Sequence, residues 1–162
     1  MPNNESQASV PDELARRHKS TTITVWSLLI GVILICVTAF VGKKFLTQQG
    51  NPSLDIAVRV GIVIFGLGAI TWRRTKFNKM RLQDIGGLQG ASGLLVTLQR
   101  TTVQVALIGT AIACIGLAGT LLTGNEYYTY ISGAVGAVVI LYSYPVRSSW
   151  ERAVERFAPS QK

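Results

Sequence analysis

The chain has 162 residues, 48% of them apolar and only 15% charged, with a net charge of +8. A water-soluble domain carries about 25% charged residues, so the composition excludes an ordinary soluble globule, and the length allows a single domain. The charge deficit is concentrated in Ser20–Gly42, Thr101–Asn125 and Tyr127–Val146, which hold no charged residue over 23, 25 and 20 positions; about 20 helical residues cross the roughly 30 Å of hydrocarbon in a bilayer.

The polar N-terminus, "MPNNESQASVPDE", leads into a short helix expected from Pro11 to Lys19. The first span is predicted at Thr22–Val41. Its centre, "VWSLLIGVILICV" (25–37), is apolar all round and does not alternate, so it is a lipid-bathed helix and not a barrel strand. It is too long for a secretory h-region, and no A-x-A-like site follows. The second span, Leu54–Trp72, contains Arg59 about four residues from its start. An arginine near a helix end extends its head to the interface; the competing reading makes Arg59 a functional intramembrane charge.

Next comes "WRRTKFNKMR" (72–81), with Arg73, Arg74, Lys76, Lys79 and Arg81 packed together. The segment 74–100 reads as a Gly-rich loop in which Leu82, Ile85, Leu88, Leu95 and Leu98 suggest interfacial helical pieces broken near the glycines; it lacks the Walker pattern. The third and fourth spans, Thr102–Thr123 and Tyr128–Val146, are joined by Gly124-Asn125-Glu126. Small residues recur four apart at Gly109/Ala113, Gly116/Thr120 and Gly119/Thr123, and at Ser132/Gly136 and Gly133/Ala137. This spacing lets helix backbones approach closely where no hydrophobic effect drives association, and it predicts a tight hairpin. After Pro145, Trp150, Val154 and Phe157 form one stripe of a short amphipathic helix. Its charges, Glu151, Arg152, Glu155 and Arg156, balance, which suits docking on protein more than on lipid; Ser148 and Glu151 fit a capping box.

The fold expected is therefore an all-α membrane protein: a four-transmembrane-helix bundle of two hairpins (domain 21–146), preceded by a polar segment 1–20 and followed by an amphipathic helix and tail 147–162. A match of "TTITVWSLLIGVILI" (21–35) to "TTVQVALIGTAIACI" (101–115) has four identities, at Thr21/Thr101, Thr22/Thr102, Val25/Val105 and Ile35/Ile115; it raises, weakly, a parallel duplication. With four spans, thirteen Lys and Arg lie on the side of the termini and middle loop, against Lys43 and Lys44 on the other, Arg59 being set aside. Cations accumulate in cytoplasmic loops, so both termini are expected in the cytoplasm of a bacterial-type inner (plasma) membrane. Trp26, Trp72 and Trp150 fall near the inner interface, and Tyr127, Tyr128 and Tyr130 near the outer.

Function is written less plainly. Cys36 and Cys114 sit at similar depth with no His or carboxylate near, and the only histidine is His18, so no metal or cofactor is expected. No nucleophile, base and orienting acid combine, and no Asp or Glu lies deep in a span. The cations flank spans and form no continuous basic face, so nucleic acid is not an expected partner; the bilayer, other membrane subunits or further copies of the chain are. The expectation is a non-enzymatic accessory or assembly subunit, with a small transporter or channel as the alternative, since neutral polar residues such as Thr24, Thr38, Thr71, Gln104 and Thr110 lie in the spans.

Overall fold

The computed structural model describes residues 10–42, 52–76 and 79–157, and all regular structure among them is helical: α1 (Val10–Gly42), α2 (Pro52–Lys76), α3 (Lys79–Thr123), α4 (Tyr127–Tyr142) and α5 (Arg147–Phe157). Helices α1, α2 and α3 are long and apolar enough to cross a membrane, and α4 with α5 adds a fourth if that pair, bent by 45°, is one span.

Helix α1 merges the expected short helix and first span into 33 residues, about 50 Å at 1.5 Å per residue. Pro11 sits in the first turn, where its missing N–H costs nothing, and Asp12 and Glu13 lie in that turn too, favourable against the positive end of the helix dipole. At and just after the junction "KSTT", Thr21 Oγ1 donates to the Arg17 carbonyl at 2.8 Å and Thr24 Oγ1 to that of Ser20 at 3.1 Å, local bonds of the kind threonine makes inside a helix.

Helix α3 meets expectation in part. Residues 79–100 are helical, as the leucine spacing suggests, with the break at Gly90, which takes φ 66°, ψ −166°, a region essentially confined to glycine. They are not a loop but run on into the third span as one kinked helix. Its forty-five residues are about twice what a bilayer's hydrocarbon core takes, and the turns before Thr101 pack beside the N-terminal half of α1.

The α3–α4 pair forms the centre. Each of α1 and α2 packs on both of these helices, while α1 and α2 make no contact with each other among the described residues. The expected first hairpin is therefore not a packed pair, and α3–α4 stands between its two arms. The sequence pattern explains the sandwich. On one side, Val25 and Val32 of α1 meet Ala106 and Ala113 of α3 and Ile140 of α4. On the other, Ile62 and Ala69 of α2 meet Val105 and Ile112 of α3 and Val139 of α4. The paired positions lie seven apart, the heptad spacing that keeps one face on a partner helix, and the neighbours Val105/Ala106 and Ile112/Ala113 serve opposite sides. Two cores thus share one hairpin, which is why α3 is apolar all round.

Candidate functional site

Three places collect the residues that the sequence singles out. The first is the α3–α4 seam. A Cβ on Gly116 would collide with the Ser132 side chain and meet the Tyr128 carbonyl oxygen at 2.6 Å; one on Gly109 would meet the Gly136 carbonyl oxygen at 2.8 Å, and one on Gly136 would run into the Gly109 carbonyl. Ala113 lies beside Gly136. Gly109, Ala113, Gly116, Ser132 and Gly136 therefore meet in one seam. Gly133 instead faces Cys36 of α1, and Gly119 faces Val58 of α2, its would-be Cβ 2.8 Å from Val58 Cγ1; these glycines seat the flanking helices. Ala137 is half-buried on the same hairpin.

The turn closing the seam is built from hydroxyls. Thr120 Oγ1 lies 2.7 Å from Thr129 Oγ1, donates to the Asn125 carbonyl at 3.0 Å and accepts the Thr129 N–H at 3.1 Å. Asn125 Oδ1 accepts the Tyr127 N–H at 3.1 Å. The first N–H groups of α4, orphaned in any helix, thus find side-chain acceptors, although Glu126 at the N-cap position gives none. Gly124, at φ 73°, lets α3 stop there, its N–H bonded to the Thr120 carbonyl at 2.8 Å.

The second place surrounds Arg59. Its Nε donates to Tyr128 Oη at 3.4 Å, its guanidinium lies 5.9 Å from the centre of the Tyr128 ring, and Asp55 Oδ2 stands 4.0 Å from its Nη2. Tyr128 is buried, so it is a structural neighbour of Arg59 more than an interfacial anchor; sequence reading missed this partner because 69 positions separate the two. From Arg59 an apolar groove of 550 Å³ runs between α2 and α4, walled by Ile62, Val63 and Leu67 on one side and Ile131, Val135 and Val138 on the other. Near the opposite end of the α2–α4 pair, the Arg73 guanidinium stacks 4.2 Å above the Tyr142 ring, a favourable cation–π distance.

The third place is the end of the bundle where α1, α3 and α5 project. Leu14 of α1, Leu94, Leu95 and Leu98 of α3 and Trp150 of α5 form a buried cluster, with Ala153 and Val154 packed on it. Polar contacts tie the same helices. Arg17 bridges Glu13 at 2.8 Å and donates to Gln99 Oε1 at 3.1 Å, while Ser92 Oγ donates to Glu13 at 2.9 Å. The Arg17 guanidinium, hydrogen-bonded to Glu13, holds that carboxyl below its ordinary range, with Ser92 helping and partial burial opposing. Glu151 accepts from Arg147 Nε at 2.8 Å, and α5 begins at Arg147, one residue before the Ser148 expected to cap it; an ion pair one turn apart replaces the capping box.

Of the remaining residues, Trp26 and Trp72 lie on outer surfaces of α1 and α2, half of each exposed, and Arg74 is exposed. The side chains of Lys76, Lys79, Arg81 and Phe157 lie outside the described residues. Among the described residues no group of three His, Cys, Asp or Glu side chains could hold a metal ion. No protein-family model, curated protein or solved structure matches the chain significantly.

Proposed function

We propose that the chain is a four-span membrane protein with both termini cytoplasmic, acting without catalysis as an accessory or assembly subunit within a membrane complex or a homo-oligomer. The fourth span in this reading is α4, whose 16 helical residues end at Tyr142 and rise about 24 Å. The uncharged Ser143–Val146 extends it to a charge-free stretch of 20 residues from Tyr127, close to what the roughly 30 Å of the hydrocarbon core takes. Orientation follows from the cations gathered at the end carrying α5 and the N-terminal half of α1; the membrane is then a bacterial-type inner membrane.

The observation that carries the reading is the filled centre. Glycine backbone lies on serine side chain and glycine backbone along the α3–α4 seam, which leaves no width for a solute there. The threonines that suggest a polar path turn inward on their own helices: Thr24, Thr38, Thr71 and Thr110 each donate to the carbonyl four residues earlier, at 2.8–3.2 Å. What the molecule offers to partners is its outside: apolar flanks and the platform of α1, α3 and α5. Purification from native membranes in a mild detergent tests this. A stoichiometric membrane partner, or a defined homo-oligomer, is the expected result. A monomer that conducts a small solute or ion in proteoliposomes, and stops when Arg59 is neutralised, replaces the proposal with the transporter reading.

A further inference from the structure

We infer that the groove between α2 and α4 binds one phospholipid with a zwitterionic amino headgroup, of the phosphatidylethanolamine class, from the leaflet opposite the α5 platform. The chemistry of the groove changes sharply along its length. Its walls are aliphatic, and its polar end is formed by Arg59 with the Tyr128 hydroxyl. Asp55 stands one turn further out, 4.0 Å from the guanidinium. The mouth thus presents a cation and an anion side by side, with 69% of the Arg59 side chain and 35% of the Asp55 side chain exposed. A pair this long and this open is a weak intramolecular bond and leaves donors and acceptors available to a ligand. An arginine takes phosphate through two parallel N–H groups, and a carboxylate takes a primary ammonium. A headgroup that carries both charges two carbons apart matches the pair; a purely anionic headgroup meets Asp55 as a like charge, and a trimethylated one cannot donate to it.

Length agrees. From Arg59 to Ile70, the limits of α2 along the groove, eleven residues rise about 17 Å, close to half of the roughly 30 Å hydrocarbon core. One acyl chain therefore lies along the groove while its phosphate stays at the level of Arg59. A partner helix fits less well, because an apolar helix face laid along the groove would leave the Arg59 guanidinium at its end unsolvated.

The test titrates the delipidated full-length protein in detergent with palmitoyl-oleoyl phosphatidylethanolamine, phosphatidylcholine or phosphatidylglycerol and counts bound lipid by native mass spectrometry. The expected result is a single adduct favouring the ethanolamine lipid by about fivefold, the upper range for an exposed ion pair. Arg59→Gln removes that preference. Asp55→Asn moves it toward phosphatidylglycerol. Ala134→Leu, at an exposed position lining the groove, lowers retention of all three lipids without touching the α3–α4 seam. Equal retention of the three lipids by the wild type overturns the inference, as does an Asp55→Asn variant with unchanged selectivity. A dimer that Ala134→Leu dissociates assigns the groove to a second copy and equally overturns it.

Discussion

Nε2 of His18 lies 2.8 Å from the carbonyl oxygen of Pro145, 127 residues away, and the same imidazole stands edge-on to the Trp150 ring at 5.8 Å. One residue of α1 thereby touches both the link between α4 and α5 and the first turn of α5. Pro145 lies in the non-helical link between α4 and α5, where the chain turns by 45°. Among the described residues no turn hydrogen bond brings a backbone N–H to its carbonyl, so the imidazole supplies the partner. Trp150 is 4% exposed, against 50% for Trp26 and 46% for Trp72. In single-tryptophan variants, lipid-borne quenchers should dim Trp26 and Trp72 strongly and Trp150 little. His18→Ala should raise Trp150 quenching, with a stability loss of about 1 kcal/mol for the lost hydrogen bond; Trp150→Ala should cost about 3 kcal/mol, read as earlier proteolysis of α5.

The α3–α4 seam predicts a second destabilising substitution. Gly116→Ala places a methyl against the Ser132 side chain and the Tyr128 carbonyl, and overpacking of this kind costs about 1–3 kcal/mol. Denaturation from mild detergent into dodecyl sulfate reads the loss. Ser132→Gly in the same chain should recover part of it, because residues in contact do not contribute additively.

Gly90 and Gly87 form a matched pair of tests. Neither has an atom within 4 Å of a would-be Cβ, but only Gly90 has positive φ. Gly90→Ala should therefore cost about 1–3 kcal/mol by backbone strain alone, loosening the α5 platform, whereas Gly87→Ala should be neutral or stabilising by up to about 1 kcal/mol. Protease sensitivity of the platform separates the two.

Glu13 gives the platform an acid limit. Its carboxyl titrates below the ordinary range in the folded chain, first because of the Arg17 hydrogen bond. A depressed folded value means that the group contributes stability above the ordinary carboxylate range, and that this contribution disappears as pH falls through the depressed value. The Trp150 environment should thus change on acidification in the wild type. Glu13→Gln should remove that pH dependence while lowering platform stability at neutral pH.

Orientation yields the plainest experiment. A reporter fused after Lys162 should score as cytoplasmic, and reversing the charge of Arg73, Arg74, Lys76, Lys79 and Arg81 together should scramble insertion.

How far the sequence could be read depended on the kind of signal. The long apolar helices were legible from long uncharged runs: α1, α2 and α3 are each long and apolar enough to cross a membrane. The α3–α4 contact was legible because Gly109, Gly116, Ser132 and Gly136 recur at helical spacing. The Trp150 stripe announced a docking helix, but not its bed: Leu94, Leu95 and Leu98 lie in a segment that its glycines made look like a loop. Glycine disfavours helix only by about 1 kcal/mol, and packing on Leu14 and Trp150 outweighs that everywhere except at Gly90, where the chain bends. The order of the bundle was not legible at all. Helices apolar on every side do not write their neighbours into their periodicity, so the separation of α1 from α2 and the pairing of Arg59 with Tyr128 emerge only in three dimensions.

That separation bears on how the molecule is made. A ribosome delivers α1 and α2 first, yet neither has a surface for the other among the described residues; their cores, around Val25 and Val32 and around Ile62 and Ala69, wait for residues beyond position 100. In the proposed four-span reading, the first half of the chain therefore waits as two unassociated helices until α3 and α4 arrive and wedge between them. In the same reading a stalled or truncated chain ending near Lys76 leaves two solitary helices and no half-bundle: a nascent protein whose glue is synthesised last.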